Sequence, residues 1–230
     1  MNFALPNLPS FLQDLLLFVP VFIISLTFHE YAHGWMADRL GDATARHMGR
    51  LTMDPMAHIS WLGTVIFPAI SLMTGAPLFG WANPVPVDMR NFKRPFQHMA
   101  IVAAAGPASN ILLAILCTAA LSVVLKNSAG LDPTAETQAL GVGPAAVKML
   151  MMGVQLNLFL AFFNLLPIPP LDGSRIVQGL VDARTALRIE SFAPQAQWIL
   201  LLLFFTGVLR VIAYPVYGFM GLLFHAFGIP

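Results

Sequence analysis

Apolar residues gather along this chain into uncharged runs long enough to compare with a bilayer core, which takes about 20 residues of helix. The first run covers roughly Leu15–Met36, the second 99–125 and the third 149–171. Each predicts a membrane-crossing helix. A fourth apolar region, 191–230, is interrupted once, by Arg210. It reads either as one span plus an interfacial helix or as two short passes, with Tyr214 and Tyr217 near the lipid headgroups. Residues 59–79 are a shorter case, with about 15 apolar residues around a central Pro68, too few for an ordinary crossing. They read as a re-entrant segment that dips into the membrane and returns.

Composition agrees with this pattern. The 230 residues are 57% hydrophobic and 10% charged, against about 25% charged in a soluble domain. The reading is an integral membrane protein of all-α class. It is a polytopic helical bundle in one domain over 1–230, with a core of about 11–185 and C-terminal membrane helices over 191–230. The start, MNFALPNLPSFLQD, lacks the basic n-region of a cleavable signal peptide, so the first run is expected to stay as a permanent helix. The one cysteine, Cys117, excludes an internal disulfide and reads as a packed thiol.

Charge refines the topology. With 59–79 re-entrant, residues 39–95 lie on one side, carrying Arg39, Arg46, Arg50, Arg90, Lys93 and Arg94. Two further spans return the chain and add Arg175, Arg184 and Arg188. Nine of the twelve basic residues then share a side, which the positive-inside rule makes cytoplasmic. The C-terminal ends of the first and third spans and the N-terminal end of the second all face that side.

The unusual polar residues sit at those three ends. In LTFHEYAHGW (26–35), His29 and His33 stand four apart and project from one helix face. Their imidazoles can meet one tetrahedral zinc while Glu30 reaches a water in its open position. Glu30 is one of only three glutamates in the chain, and ionisable groups within a span are costly and usually functional. A catalytic zinc normally has three protein ligands. The candidate third is Asp172 in NLLPIPPLDG (164–173), where Pro167, Pro169 and Pro170 end the third helix and leave Asp172 on an irregular turn. A helix cap at a membrane exit is the bland alternative for Asp172.

FHEYAH, AAGPASN and NLLPIPPLDG, in this order on three successive spans, resemble the site-2 protease family of intramembrane zinc metalloproteases. The closer likeness is to short prokaryotic members without a PDZ domain, echoed in GDATARHMGRLTMDP (41–55) and FGWANPVPV (79–87). It covers about residues 20–185. The resemblance implies zinc ligands at His29, His33 and Asp172, one zinc per chain, and Glu30 as general base. It also implies catalytic support from Asn164 and from Asn110 in the Gly106–Asn110 element. An asparagine amide can orient a scissile carbonyl or stabilise its oxyanion, with interhelical hydrogen bonding as the competing account. Asn157, seven residues before Asn164, is placed to face the bundle interior as well.

The resemblance further implies a small membrane-associated β element at 79–87. Pro84 and Pro86 suit an edge strand there. Gly80, Trp81, Asn83 and Val85 are its candidate substrate-binding residues, pairing with an unwound substrate by strand addition; a structural hairpin that shields the site is the alternative. Two departures stand out. Ser60 and Trp61 follow His58-Ile59 where the subfamily pattern has aspartate and proline, so His58 is left outside the site, and Ser174 replaces a common glycine. His47, His98 and His225 match no ligand spacing and read as interfacial or packing residues.

The expected function is hydrolysis of peptide bonds in or near transmembrane segments, in a multi-pass protein of the cell membrane with its site towards the cytoplasm. Its partners would be membrane-protein substrates and the lipid bilayer, with no nucleic acid. The alternative is a catalytically silent membrane scaffold that retains the zinc site. Intact His29, Glu30, His33 and Asp172 weigh against it. A metal transporter is disfavoured because its ligands belong near the midplane, often in a repeated half.

Overall fold

The computed structural model of the protein describes residues 10–66, 82–127 and 142–229. Helix α1 (Ser10–Arg39) is followed by a single turn, α2 (Thr44–His47). Then come α3 (Pro95–Asn127), α4 (Val142–Asn164), α5 (Asp172–Leu180), α6 (Ala183–Ser191), α7 (Ala193–Phe205) and α8 (Ala213–Phe227). Four helical stretches among the described residues are long and apolar enough to cross a membrane: Leu12–Arg39, Pro95–Asn127, Gly143–Asn164 and Arg210–Phe227. Three of these overlap the predicted core spans, the third running Gly143–Asn164 where 149–171 is expected. At 1.5 Å per residue the 33-residue α3 is about 50 Å long, more than a hydrocarbon core of about 30 Å.

The fourth apolar region resolves into a 13-residue helix, α7, and the longer stretch ending in α8. The break falls at Gly207, in a left-handed conformation with φ 74°. That is three residues before Arg210, because glycine adopts this conformation without a Cβ penalty.

Helix α3 is the centre of the bundle and packs against α1, α4, α5 and α8. Ala114 on α3, Val154 and Leu158 on α4, and Ile212 and Val216 near and on α8 form one buried apolar cluster. Leu16, Val19 and Ile24 on α1 and Leu112, Leu116 and Val123 on α3 point outward, as residues facing lipid tails do. The interior also holds polar groups: Ser25, Asn110, Thr118 and Asn157 are all buried. Thr118 Oγ1 donates to Ala114 O at 2.8 Å within its own helix. The other three bond one another across three helices, as polar groups away from water must.

Two expectations concern the segment between α2 and α3. Within 59–79, Trp61–Ile66 form a π-helical turn, and the rest of the proposed re-entrant segment lies outside the described residues. The β element at 79–87 is corrected. Residues 82–88 run without regular secondary structure, and no strand occurs among the described residues. The reason lies in the donors. Pro84 and Pro86 have no N–H, Asn83 N–H donates to His58 O at 2.9 Å, and Val85 N–H donates to a side chain. From Asn83 to Pro86 no N–H is left for a ladder.

Candidate metal centre

Three elements converge at the site. His29, Glu30 and His33 come from α1, about 15 to 9 Å of helix before its end at Arg39. Asp172 comes from the first position of α5, and α3 closes the third side. Asp172 is thus a helix-start residue, although the proline-bearing turn before it is irregular as expected. Gly173 makes that turn possible. A Cβ there would collide with the carbonyl oxygens of Leu165 and Leu166, so the aspartate must be followed by glycine for α5 to start this close to the end of α4.

His29 Nε2 and His33 Nε2 stand 3.1 Å apart. Asp172 Oδ2 lies 3.3 Å from the first and 3.4 Å from the second. Ligands bound at about 2.0–2.1 Å around a tetrahedral zinc are about 3.3–3.4 Å from one another. The triangle therefore matches the base of a zinc tetrahedron.

The hydrogen bonds at each Nδ1 are compatible with that arrangement. His33 Nδ1 lies 2.8 Å from Val102 O, which can only accept, so Nδ1 carries the hydrogen. For His29 the argument runs through two asparagines. Asn157 Nδ2 donates to Gly153 O at 2.8 Å and to Ser25 Oγ at 2.9 Å, which turns its Oδ1 towards Asn110. Asn110 Nδ2 donates to that Oδ1 at 2.8 Å, leaving Asn110 Oδ1 to accept from His29 Nδ1 at 2.6 Å. With each Nδ1–H engaged, a neutral imidazole at either position turns its Nε2 lone pair towards the Asp172 carboxylate. Asp172 Oδ2 is itself buried with no hydrogen bond among the described residues. Three such atoms within 3.4 Å of one another can hold a cation. Two imidazoles and a carboxylate suit zinc.

Helix α3 comes this close because of Gly106. A Cβ there would stand 2.7 Å from His29 Cε1 and closer still to His33. Glu30 is buried, and its Oε2 accepts the Val85 N–H at 2.9 Å.

Residues 17–206 match the family model described as peptidase family M50. The chain belongs to that family. This M50 chain is 36% identical over 194 residues to the "Putative zinc metalloprotease YwhC" of Bacillus subtilis (strain 168), covering 84% of this chain and 82% of that one. It is 26% identical over 189 residues to "Putative zinc metalloprotease Rip2" of Mycolicibacterium smegmatis (strain ATCC 700084 / mc(2)155), covering 82% of this chain. With Rip2 of Mycobacterium tuberculosis (strain ATCC 25618 / H37Rv) the identity is 28% over 182 residues, or 79% of this chain. The chain spans 65% and 62% of the length of these two mycobacterial proteins. No solved structure matches it. The protein is a zinc metalloprotease of the site-2 type with several membrane spans.

The remaining predicted residues of this M50 chain separate by distance from the cluster. Asn110 reaches a ligand imidazole, while Asn164 donates to Leu160 O at 3.0 Å within its own helix. Asn83 is exposed and Val85 buried; Gly80 and Trp81 lie outside the described residues. His58 is buried in its loop, with Nε2 2.9 Å from Thr52 O, away from the triad. His98 packs edge-on against Phe92, and His47 and His225 are exposed. Sequence reasoning missed Val102 O, Ser25 and Arg50. Only Asn157 had left a sign, in its seven-residue spacing from Asn164.

Proposed function

We propose that this M50 protease is an intramembrane endopeptidase, cutting peptide bonds in or near transmembrane segments of membrane proteins from the cytoplasmic side. One observation carries the reading: two of the three candidate ligands, His29 and His33, lie inside a helix apolar enough to span the membrane, about 9–15 Å short of its charged end. A scissile bond must come to that depth. The orientation rests on the bias of basic residues towards the side where this helix ends.

In this reading His29, His33 and Asp172 hold the metal. Bound there, zinc would supply the Lewis acidity that eases ionisation of water near neutral pH. Glu30, one position beyond His29, would take a proton from the attacking water and return it to the leaving amine. Asn110 positions His29 by accepting its Nδ1–H, which keeps the Nε2 lone pair aimed at the metal. Helix α3 excludes lipid and bulk water from one side of the site through the close approach at Gly106.

The test is the position of the cut. Purified protein in liposomes is given single-span substrates and, separately, soluble unfolded polypeptides, and products are mapped by mass spectrometry. Cuts within or next to the transmembrane segment, absent in Glu30→Ala, support the proposal. Cleavage of the soluble chains at comparable kcat/KM would contradict it.

A further inference from the structure

The run Asn83-Pro84-Val85-Pro86 has an unusual backbone. Its two prolines delete two N–H groups, leaving Val85 as the one donor between Asn83 and Val87. That donor goes to Glu30 Oε2 at 2.9 Å, in buried surroundings. Val85 is seated on the same helix as Glu30. Its Cγ1 lies 3.0 Å from where a Cβ at Gly34, one turn further on, would stand.

The run is tied down on both flanks. Arg50 Nη2 donates to Asn83 O at 2.8 Å and to Pro84 O at 3.3 Å. Asn83 N–H donates to His58 O at 2.9 Å. Beyond the second proline, Asp88 N–H donates to Asp42 Oδ2 at 2.7 Å. These anchors come from the loops that follow α1, so the height of the run above Glu30 is set by the same part of the chain that carries Glu30.

We infer that residues 83–88 form a strap that positions the Glu30 carboxylate through the Val85 N–H, with Arg50 holding the strap at its working height. The inference rests on the reading of Glu30 as general base. A base with two equivalent oxygens and a free χ angle presents neither reliably. A backbone donor on Oε2 satisfies one oxygen of a buried carboxylate with a charge-assisted bond. It stops rotation and leaves Oε1 to exchange the proton. The prolines contribute by stiffening the run and by removing the neighbouring donors, so no alternative N–H can capture the carboxylate in a shifted register. Val85 and Arg50 are positioning residues in this scheme. The Val85 N–H, already engaged, is withdrawn from pairing with a substrate strand.

The direct experiment replaces the Val85 amide by an ester, incorporating α-hydroxyisovalerate in the full-length protein. This deletes the N–H and keeps the isopropyl group. Zinc content, KM and kcat on a single-span substrate are measured beside Val85→Ala, Arg50→Met, Arg50→Lys and Glu30→Gln. The ester protein is expected to keep its zinc and a KM within about twofold of wild type, with kcat lowered about ten- to a hundredfold, the range for losing a hydrogen bond to a charged group. Val85→Ala retains the donor but shortens the side chain that packs at Gly34, so its loss of kcat is expected to be smaller than that of the ester protein. Arg50→Met should lose kcat, and Arg50→Lys, which restores a donor, should recover part of it. An ester protein with wild-type kcat, or one whose loss lies wholly in KM or in zinc, would overturn the inference. Glu30→Gln separates the two levels. If it cleaves normally, the base assignment itself fails; if it is inactive while the ester protein is fully active, the strap alone is refuted.

Discussion

At Gly106 one hydrogen atom decides whether two imidazoles keep their places. A methyl group there would overlap His33 and press on His29 Cε1, and neither ring can retreat without giving up its Nδ1 hydrogen bond. Gly106→Ala is therefore expected to lose stoichiometric zinc while the helices remain folded, as metal analysis and circular dichroism would show. Asn110→Leu acts more gently. It removes the acceptor for His29 Nδ1–H, and zinc affinity should fall about 10- to 100-fold, as for other outer partners of metal-bound histidines. Asn164→Leu, whose partner is Leu160 O in the same helix, should leave affinity unchanged. Chelator competition ranks the three proteins. The pairing of His29 and His33 was legible in the sequence because i, i+4 spacing places them on one face whatever surrounds them. The target of Asn110 was not. Its partner lies 81 residues away, and only the packing of α3 on α1 decides which atom an amide between two helices can reach.

Among the elements, the spans were readable because uninterrupted apolar length is a local property. The end of α4 was readable too, since prolines stop a helix regardless of context. Within the expected β element at 79–87, residues 82–87 form no strand; prolines and alternating apolar residues suit an edge strand and an irregular strap equally. What distinguishes them is where the few N–H groups go, and those partners are Glu30, His58 O and Asp42. Asp42 is the most heavily used of these. It is fully buried and accepts from Thr44, Asn91 and the Asp88 N–H. Burial pushes its carboxyl up, but the hydrogen bonds from the Thr44 hydroxyl, the Asn91 amide and the two backbone N–H groups outweigh that and hold it below its ordinary 3.8. An acid lowered on folding stabilises the fold above its ordinary value and loses that contribution as pH falls through the folded one. Melting temperature should thus drop between about pH 4 and lower values in wild type. In Asp42→Asn the same melting series should show a lower plateau near neutrality and a shallower acid limb.

For the molecule as a whole, the bundle is arranged around a polar interior. Ser25, Asn110 and Asn157 link α1, α3 and α4 by hydrogen bonds, and that chain ends on the His29 imidazole. Stability of the bundle and readiness of the site are therefore coupled through the same contacts. The central claim is that His29, His33 and Asp172 hold one zinc with Glu30 as the base beside it. Its most direct test is zinc stoichiometry and cleavage of a single-span substrate, measured together on wild type, Glu30→Ala, His29→Ala and Asp172→Ala. The account predicts about one zinc and activity in wild type, bound zinc without activity in Glu30→Ala, and loss of both in the two ligand variants. Asp172→Ala retaining zinc with wild-type affinity, or Glu30→Ala retaining activity, would contradict it.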